Sequence, residues 1–254
     1  MNKLTNSPFL VFALSCIVLW VSERVGVYFH RKRPMEESVR EDFGVVLAAT
    51  LTLLGLIIGF TFSMAISRYD QRKNYEEAEA NAIGTEYVRA DLLPPVDATK
   101  VRGLLRNYLD QRILFYGARD EDRLRQIDAT TVQLQNDLWT GVQAPAATQP
   151  TPLMALAVSG MNDVLNSQGY TQFAWGNRIP VAAWLLLELI AICCNLMVGY
   201  GARRPEAQAG LFLVLPLLVS ISFLFIADID SPRGGIIRVD PQNLVSLSQS
   251  LRTH

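Results

Sequence analysis

Charged and hydroxyl-bearing residues follow two of the apolar stretches of this chain. They form two short clusters, Arg68, Tyr69, Asp70 and Arg72 in the first and Asp228, Asp230 and Arg233 in the second. Ionisable groups at the ends of membrane helices often line the entrance of an ion pathway. One interpretation is therefore a charged vestibule that concentrates or selects ions. The other is structural pairing of arginine with aspartate between two helices.

One acidic residue, Glu188, lies inside an apolar run. An ionised side chain at the centre of a membrane helix costs about 2.5–3.5 kcal/mol on insertion scales. We therefore expect Glu188 to be neutral, or to face a partner or water. It is either a group that handles ions or protons, or a protonated glutamate hydrogen-bonded between helices. At the end of another apolar run, Glu23 and Arg24 are expected to extend toward the membrane surface.

Groups suited to metal or covalent catalysis are scarce. The three cysteines, Cys16, Cys193 and Cys194, lie in apolar stretches and the chain has only two histidines, so a set of zinc ligands is missing. There is also no glycine-rich phosphate loop and no nucleophile with a base to activate it. We expect neither an enzyme nor a bound metal or cofactor. The net charge of −1 gives no bias toward nucleic acid as a partner.

Four apolar stretches determine where the polar clusters lie. Half of the 254 residues are hydrophobic, 19% are charged, and the charges are segregated along the chain. A helix of about 20 residues crosses a hydrocarbon core of about 30 Å. Runs of suitable length occupy residues 9–29, 43–66, 179–200 and 209–227. The sequence predicts an all-α membrane protein with four transmembrane helices, the first retained as an anchor.

These spans divide the chain into four parts: a transmembrane hairpin at 1–66, a helical extramembrane insert at 67–178, a second hairpin at 179–229 and a C-terminal tail at 230–254. In the insert, the second span is predicted to continue as a helix until Leu93-Pro94-Pro95. The next helix is predicted to have Asp97 as its N-cap and to end at Gly117. Three prolines without periodicity between Gly141 and Pro152 predict a flexible loop.

The second span carries two lines of residues at four-residue steps. Small residues, Gly55, Gly59 and Ser63, form the first line, and such residues let another helix approach closely. The second line consists of Thr52, Leu56 and Phe60. It is expected to face a partner helix, lipid or an aqueous constriction, where apolar rings can gate ions by dewetting.

Short motifs beside these helices resemble those of a known family. Gly59-Phe60 with Ser67-Arg68-Tyr69, and residues 228–234 with the later Asp240-Pro241, resemble the segments that end the second and fourth helices of bestrophin channels. Over most of the chain, residues 67–72, 79–85, 89–94 and 228–234 resemble a bacterial family of bestrophin-like membrane proteins.

This resemblance implies a homopentamer in which five second spans surround one axis and conduct small ions passively. It places Thr52, Leu56 and Phe60 at the three levels of the pore neck. At the level of Thr52, a threonine takes the place of a large apolar residue, which would leave that level wider and wetter. The acidic cluster that binds calcium in animal bestrophins is missing, so calcium gating is not implied. Animal bestrophins pass anions and bacterial relatives include cation channels, so both signs stay open.

Charge near the span ends bears on the orientation. Basic residues in the two short connections favour a cytosolic location for those connections: Arg31, Lys32, Arg33, Arg40, Arg203 and Arg204. Bestrophins instead keep their termini and insert in the cytosol, and long domains are translocated regardless of charge. We favour the orientation of the family, in a bacterial inner membrane.

The sequence thus predicts a bestrophin-like homo-oligomer, a pentamer by resemblance, that lies in a lipid bilayer and passes small monovalent inorganic ions through a pore lined by the second span. The alternative is a non-conducting or partner-dependent assembly protein, stator-like or a scaffold. Four spans with a large insert also describe proton-driven stator subunits, and Glu188 is the residue that favours this alternative.

Overall fold

The computed structural model describes residues 7–202 and 210–253, and all the regular structure within these ranges is helical. The helices are α1 (Pro8–Lys32), α2 (Arg40–Arg89), α3 (Pro95–Gly117), α4 (Glu121–Thr148), α5 (Pro152–Gly176), α6 (Val181–Tyr200), α7 (Val214–Asp230) and α8 (Gln242–Thr253). Short 3-10 helices occupy Glu37–Val39, Ala90–Leu92 and Leu211–Leu213. The predicted all-α class is confirmed.

The chain forms two compact units. The membrane unit consists of Met1–Arg68 and Arg178–Arg238, and the insert unit consists of Tyr69–Asn177 and Val239–His254. Helix α2 begins in the membrane unit and ends in the insert unit. The segment predicted as a tail is divided, because the residues up to Arg238 belong to the membrane unit and α8 belongs to the insert unit.

An apolar core joins the helices of the membrane unit. Leu19 of α1, Leu187 of α6 and Phe223 of α7 are fully buried in it, and the Trp184 ring meets Phe223 edge-on at 6.1 Å. Lipid tails are as apolar as these side chains, so helix association in a membrane depends on close packing rather than on the removal of water.

Three segments are long and apolar enough to cross a membrane: Pro8–Lys32, Glu37–Leu92 and Pro152–Tyr200. They contain three of the four predicted spans. The fourth prediction, 209–227, corresponds to α7, which has 17 residues, and residue 209 lies outside the described residues. Because 17 residues is the lower end of the usual range for a membrane helix, the fourth crossing stays a prediction.

Helix α2 is uninterrupted over 50 residues, which corresponds to a length of about 75 Å at 1.5 Å per residue. This is more than twice the hydrocarbon thickness of about 30 Å, so only part of α2 can lie in a membrane. The predicted continuation beyond the second span is confirmed. The helix ends before Pro94 and Pro95, whose rings are incompatible with a helix interior.

Helix α3 begins at Pro95, so the predicted N-cap at Asp97 is wrong. Asp97 lies in the first turn instead, where a carboxylate interacts favourably with the helix dipole. Proline suits the start of a helix because the backbone N–H that it lacks would have no partner there. The predicted end of this helix at Gly117 is confirmed.

The flexible loop predicted for residues 141–152 is wrong for residues 141–148, because α4 continues to Thr148; residues 149–151 connect α4 to α5. Gly141 and Pro145 are buried, and a Cβ added to Gly141 would lie 3.0 Å from the Val101 side chain of α3. Packing against α3 therefore outweighs the low helix propensity of glycine and proline.

The C-terminal helix α8 is fixed at its beginning by Glu76 of α2. The Glu76 carboxylate accepts hydrogen bonds from the Leu244 backbone N–H over 2.9 Å and from Asn243 Nδ2 over 2.6 Å. A negative charge is favourable at the N-terminus of a helix. Glu76 is buried, so this contact is an integral part of the insert unit.

Candidate functional site

One face of α2 in the membrane unit is turned away from the rest of that unit. Leu54, Thr61 and Ala65 are buried on the inner face. Successive residues of a helix are about 100° apart, so the line of Thr52, Leu56 and Phe60 lies on the opposite side. All three are exposed, Leu56 by 53% and Phe60 by 64%. This exposed face is free to contact lipid, water or another copy of the chain.

Helix α2 is also the least buried of the apolar segments. In its most apolar 18-residue window only 6% of the residues are buried, compared with 28% for the segment containing α1 and 22% for the one containing α6. The Thr52 hydroxyl donates to the Ala48 carbonyl over 2.9 Å. This bond satisfies the hydroxyl within the helix, as is common for threonine in membrane helices.

The small residues on α2 do not bring two helices together within the described part of the chain. Gly55, Gly59 and Ser63 are exposed, and a Cβ added to either glycine would meet no atom within 4 Å. The predicted close approach at these residues, if it forms, therefore involves another molecule. It remains a prediction.

Close packing of backbones occurs instead between α1 and α6. A Cβ added to Gly26 would collide with the Leu196 carbonyl and the Tyr200 backbone nitrogen, and one added to Gly199 would collide with the Glu23 carbonyl. Sequence reasoning missed this crossing, although Ser22 and Gly26 of α1 are small residues four positions apart, because Gly199 on α6 has no small residue at the same spacing. Small residues at helix crossings are nevertheless typical of membrane proteins.

Asp230, the last residue of α7, holds the entry to α6. Its carboxylate accepts hydrogen bonds from Arg178 Nε over 3.0 Å and from the Ile179 backbone N–H over 3.1 Å. Arg68 Nη1 lies 3.9 Å from the same carboxylate, which is 1% exposed. Two arginines thus compensate one buried aspartate, in agreement with the interpretation of structural pairing.

Asp228 holds the segment that follows α7. The two oxygens of its carboxylate accept hydrogen bonds from the backbone N–H groups of Ile236 and Ile237 over 2.7 and 2.8 Å. A Cβ added to Gly235 would lie 2.9 Å from Asp228 Oδ1. Asp228 is almost fully buried, so its contacts within the membrane unit are those of a loop anchor.

The remaining members of the two clusters have different surroundings. Arg233 belongs to the membrane unit and is half-buried, whereas Tyr69, Asp70 and Arg72 belong to the insert unit. Arg72 is buried and donates to the Ala174 carbonyl over 3.4 Å. Tyr69 packs against the core of the insert unit, and Asp70 is exposed. The charged vestibule therefore remains a prediction.

Glu188 of α6 is half-buried and accepts a hydrogen bond from Ser15 Oγ of α1 over 3.3 Å. This is the geometry of a glutamate bonded between two helices. Glu23 differs from the expectation: it is fully buried and does not extend to the surface. Its neighbour Arg24 is half-buried and lies 5.4 Å from the centre of the Trp20 ring.

The insert unit contains a buried ionic network that sequence reasoning missed. Glu79 of α2 and Arg112 of α3 form an ion pair, and both side chains are fully buried. Glu79 also accepts hydrogen bonds from Thr171 Oγ1 over 3.1 Å and from the Tyr116 hydroxyl over 3.4 Å. Burial and the nearby Glu79 charge raise the pKa of Tyr116, which keeps its hydroxyl protonated as a donor.

Glu86, two turns further along α2, lies next to α5. It is fully buried, and its carboxylate occupies the space that a Cβ on Gly160 would require. Burial raises its pKa to about 8, against the opposing effect of Arg89 and with a further increase from Asp163. A signal for these acids was present, because Glu76, Glu79 and Glu86 share the helical spacing of the buried Ile83.

Within residues 7–202 and 210–253, no group of three His, Cys, Asp or Glu side chains is arranged to bind a metal ion.

Comparisons with known proteins bear on both fold and family. The sequence profile of a family described as Bestrophin-like domain matches residues 9–244. Among curated proteins, no sequence matches the chain. The fold is similar to that of a variant bacterial bestrophin homologue from Klebsiella pneumoniae, with a TM-score of 0.66, 11% identity and coverage of 97% of this chain and 98% of that one.

A second structure of the Klebsiella pneumoniae homologue has a TM-score of 0.64 and 12% identity, and it covers 96% of this chain and 97% of that one. A variant of a protein described only as a membrane protein has a TM-score of 0.65 and 11% identity, with 95% and 97% covered. At these identities the structures show a shared fold over nearly the full length of each chain.

Proposed function

The chain belongs to the Bestrophin-like family, and from this membership we propose that it is an oligomeric channel that passes small monovalent ions passively through a pore lined by α2. The observation that carries the proposal is the exposed face of α2 with Thr52, Leu56 and Phe60. This face has no partner among the described residues of its own unit, and a single helix face cannot enclose a pore. Several copies must therefore contribute to it.

A ring of copies around one axis would bring these side chains together at three levels. Phe60 and Leu56 would form apolar constrictions, which oppose ion passage because water leaves a narrow apolar ring readily. Thr52 would form a polar level that is easier to hydrate. The family resemblance favours five copies, and Gly55, Gly59 and Ser63 would allow neighbouring α2 helices to approach each other closely.

The proposed location is a bacterial inner membrane, with the termini and the insert unit in the cytosol. Of the basic residues that favour the opposite orientation, Arg203 and Arg204 lie outside the described residues. Arg40 donates from Nε to Glu37 over 3.1 Å, which offsets part of its charge. Long domains such as the insert unit follow the rule of positive charge inside only weakly.

The test is ion flux from liposomes that contain the purified protein alone, with chloride and sodium gradients applied separately. Flux above that of empty liposomes supports the channel, and the gradient that drives it identifies the sign of the ion. If the oligomer is intact and flux equals that of empty liposomes, the channel is contradicted. A partner-dependent or scaffold role would then be favoured, and a second membrane protein would be sought in the purified complex.

A further inference from the structure

Glu23 is an acidic side chain with unusual surroundings in the membrane unit. It lies in α1, within a segment apolar enough to cross a membrane, and it is 0% exposed. Neither carboxylate oxygen has a hydrogen-bond partner among the residues that the structure describes. Buried carboxylates are almost always bonded or paired, so the protonation state of Glu23 needs a physical explanation.

The surroundings of Glu23 leave no space for water to solvate a charge. Its own backbone carbonyl is in direct contact with Gly199 of α6, and one turn later Gly26 of α1 is in contact with the backbone of Leu196. These contacts hold the backbones of α1 and α6 together from Glu23 to Gly26, and the Glu23 side chain has no surface that water can reach. An ionised carboxylate in such a site would lack both counter-ion and hydration.

The neighbouring elements bring no cation to this crossing. Between Val181 and Tyr200, α6 has one charged residue, Glu188, and its other titratable groups are Cys193, Cys194 and Tyr200. The charged residues of α7 are Asp228 and Asp230, at its far end, and α2 has none between Phe43 and Ser67.

The other titratable or charged groups on α1 are Cys16, Arg24, Tyr28, His30, Arg31 and Lys32, and those at the start of α2 are Arg40, Glu41 and Asp42. His30 lies two turns beyond Glu23, about 10 Å along the helix, with its ring 5.7 Å from that of Tyr200. Arg24 follows Glu23 directly in the chain, and its guanidinium lies over the Trp20 ring. It makes no hydrogen bond or ion pair with Glu23, so it does not neutralise the carboxylate by direct contact.

We propose that Glu23 is a proton-binding site, occupied by a proton whenever α1 is packed on α6, and that loss of this proton weakens the α1–α6 crossing. Protonation removes the charge that the crossing cannot accommodate, and it leaves a neutral acid of the same shape. At alkaline pH the membrane unit becomes less stable because a charged Glu23 favours separation of α1 from α6.

Glu188 is the natural comparison within the same pair of helices. It also lies between α1 and α6, but Ser15 donates a hydrogen bond to it and it is only half-buried. It sits at the level of Ser15, about 12 Å along α1 from Glu23 at 1.5 Å per residue. Glu188→Gln therefore tests whether replacing any acid between α1 and α6 by a neutral side chain has the same effect.

The first experiment compares the melting temperature of the purified full-length oligomer with that of Glu23→Gln from acidic to alkaline pH. Glutamine mimics the protonated acid, so equal melting temperatures are expected at acidic pH, with wild type lower at alkaline pH. Groups that titrate in both proteins cancel in the difference. Glu188→Gln should retain the alkaline loss of wild type. A Glu23→Gln variant that is less stable at every pH, or that follows wild type throughout, would overturn the proposal.

The second experiment observes the proton directly by infrared spectroscopy of the oligomer in lipid. A protonated carboxylic acid has a carbonyl stretch well separated from that of a carboxylate. The pH difference spectrum of wild type should contain this band, to which the buried Glu86 of the insert unit also contributes. Glu188→Gln should retain the full intensity of the band, and Glu23→Gln should lose the share that belongs to Glu23. An unchanged spectrum in Glu23→Gln would refute the assignment. Neither experiment measures ion flux, so either result is independent of the proposed conduction.

Discussion

Arg178, three residues before the start of α6, donates a hydrogen bond of 3.0 Å from Nε to Oδ2 of Asp230, the last residue of α7. Asp230 also accepts the backbone N–H of Ile179. A single carboxylate therefore fixes the geometry at which two helices of the membrane unit meet. The pairing is buried on the aspartate side, where the loss of one partner leaves the other charge uncompensated.

We expect Asp230→Ala to destabilise the protein by roughly 3–5 kcal/mol, the usual loss when one partner of a buried ion pair is removed. The measurement is thermal or denaturant unfolding of the purified oligomer. Asp240→Ala is the matched control, because Asp240 is exposed and should change stability little. A stable Asp230→Ala protein with altered ion selectivity would contradict structural pairing and would support the charged vestibule.

The α1–α6 crossing gives a prediction about glycine. Gly26→Ala should destabilise the oligomer by at least the roughly 1–3 kcal/mol typical of overpacking, because the added Cβ collides with backbone atoms of α6. A chain of this size loses about 2–4 °C of melting temperature per kcal/mol. Gly169→Ala is the matched control, since Gly169 also lies inside a helix, α5, and a Cβ there meets open space. Equal melting temperatures for Gly26→Ala and wild type would refute the crossing.

These glycines also show what the sequence could and could not predict. The apolar runs predicted the helices well, because the length of a run and its lack of charge are local properties. Which small residues lie at a crossing depends on the rotation of two distant helices. The line of Gly55 and Gly59 was therefore visible in the sequence, whereas the contact between Gly26 and Gly199 required the structure.

The same distinction applies to the polar residues. Arg68 and Asp230 lie far apart in the chain, yet they approach to 3.9 Å. The predicted spans suggested that the two clusters could pair, but they did not indicate which arginine would approach which aspartate. The burial of Glu23 and the pairing of Glu79 with Arg112 depend on tertiary packing. The helical structure of residues 141–148 was missed for a related reason, because burial of Gly141 and Pro145 outweighed their local preference.

The exposed face of α2 yields a prediction about conduction. Phe60→Ala should raise ion flux in liposomes, because a smaller side chain widens the constriction and makes it easier to hydrate. Phe62→Ala is the matched control: Phe62 lies two residues away on the same helix, about 160° from Phe60 in direction, and is exposed. If both variants conduct like wild type, or both conduct more, the neck does not lie at Phe60.

Glu86 gives a prediction about pH in the insert unit. Its pKa is raised from 4.5 to about 8, chiefly by burial, so the folded protein holds this proton over a range in which the unfolded chain has lost it. The stabilising contribution of protonated Glu86 is therefore fully present below about pH 4.5 and is lost as the pH rises to about 8, by about 1.4 kcal/mol for each unit between the two pKa values. Glu86→Gln should remove this part of the pH dependence, seen as the difference between the unfolding curves of variant and wild type.

Asp163→Asn should keep this pH dependence but move its upper limit to lower pH, because the Asp163 charge contributes to the raised pKa of Glu86. A difference between wild type and Glu86→Gln that is constant over this range would show that Glu86 is ionised in the folded protein.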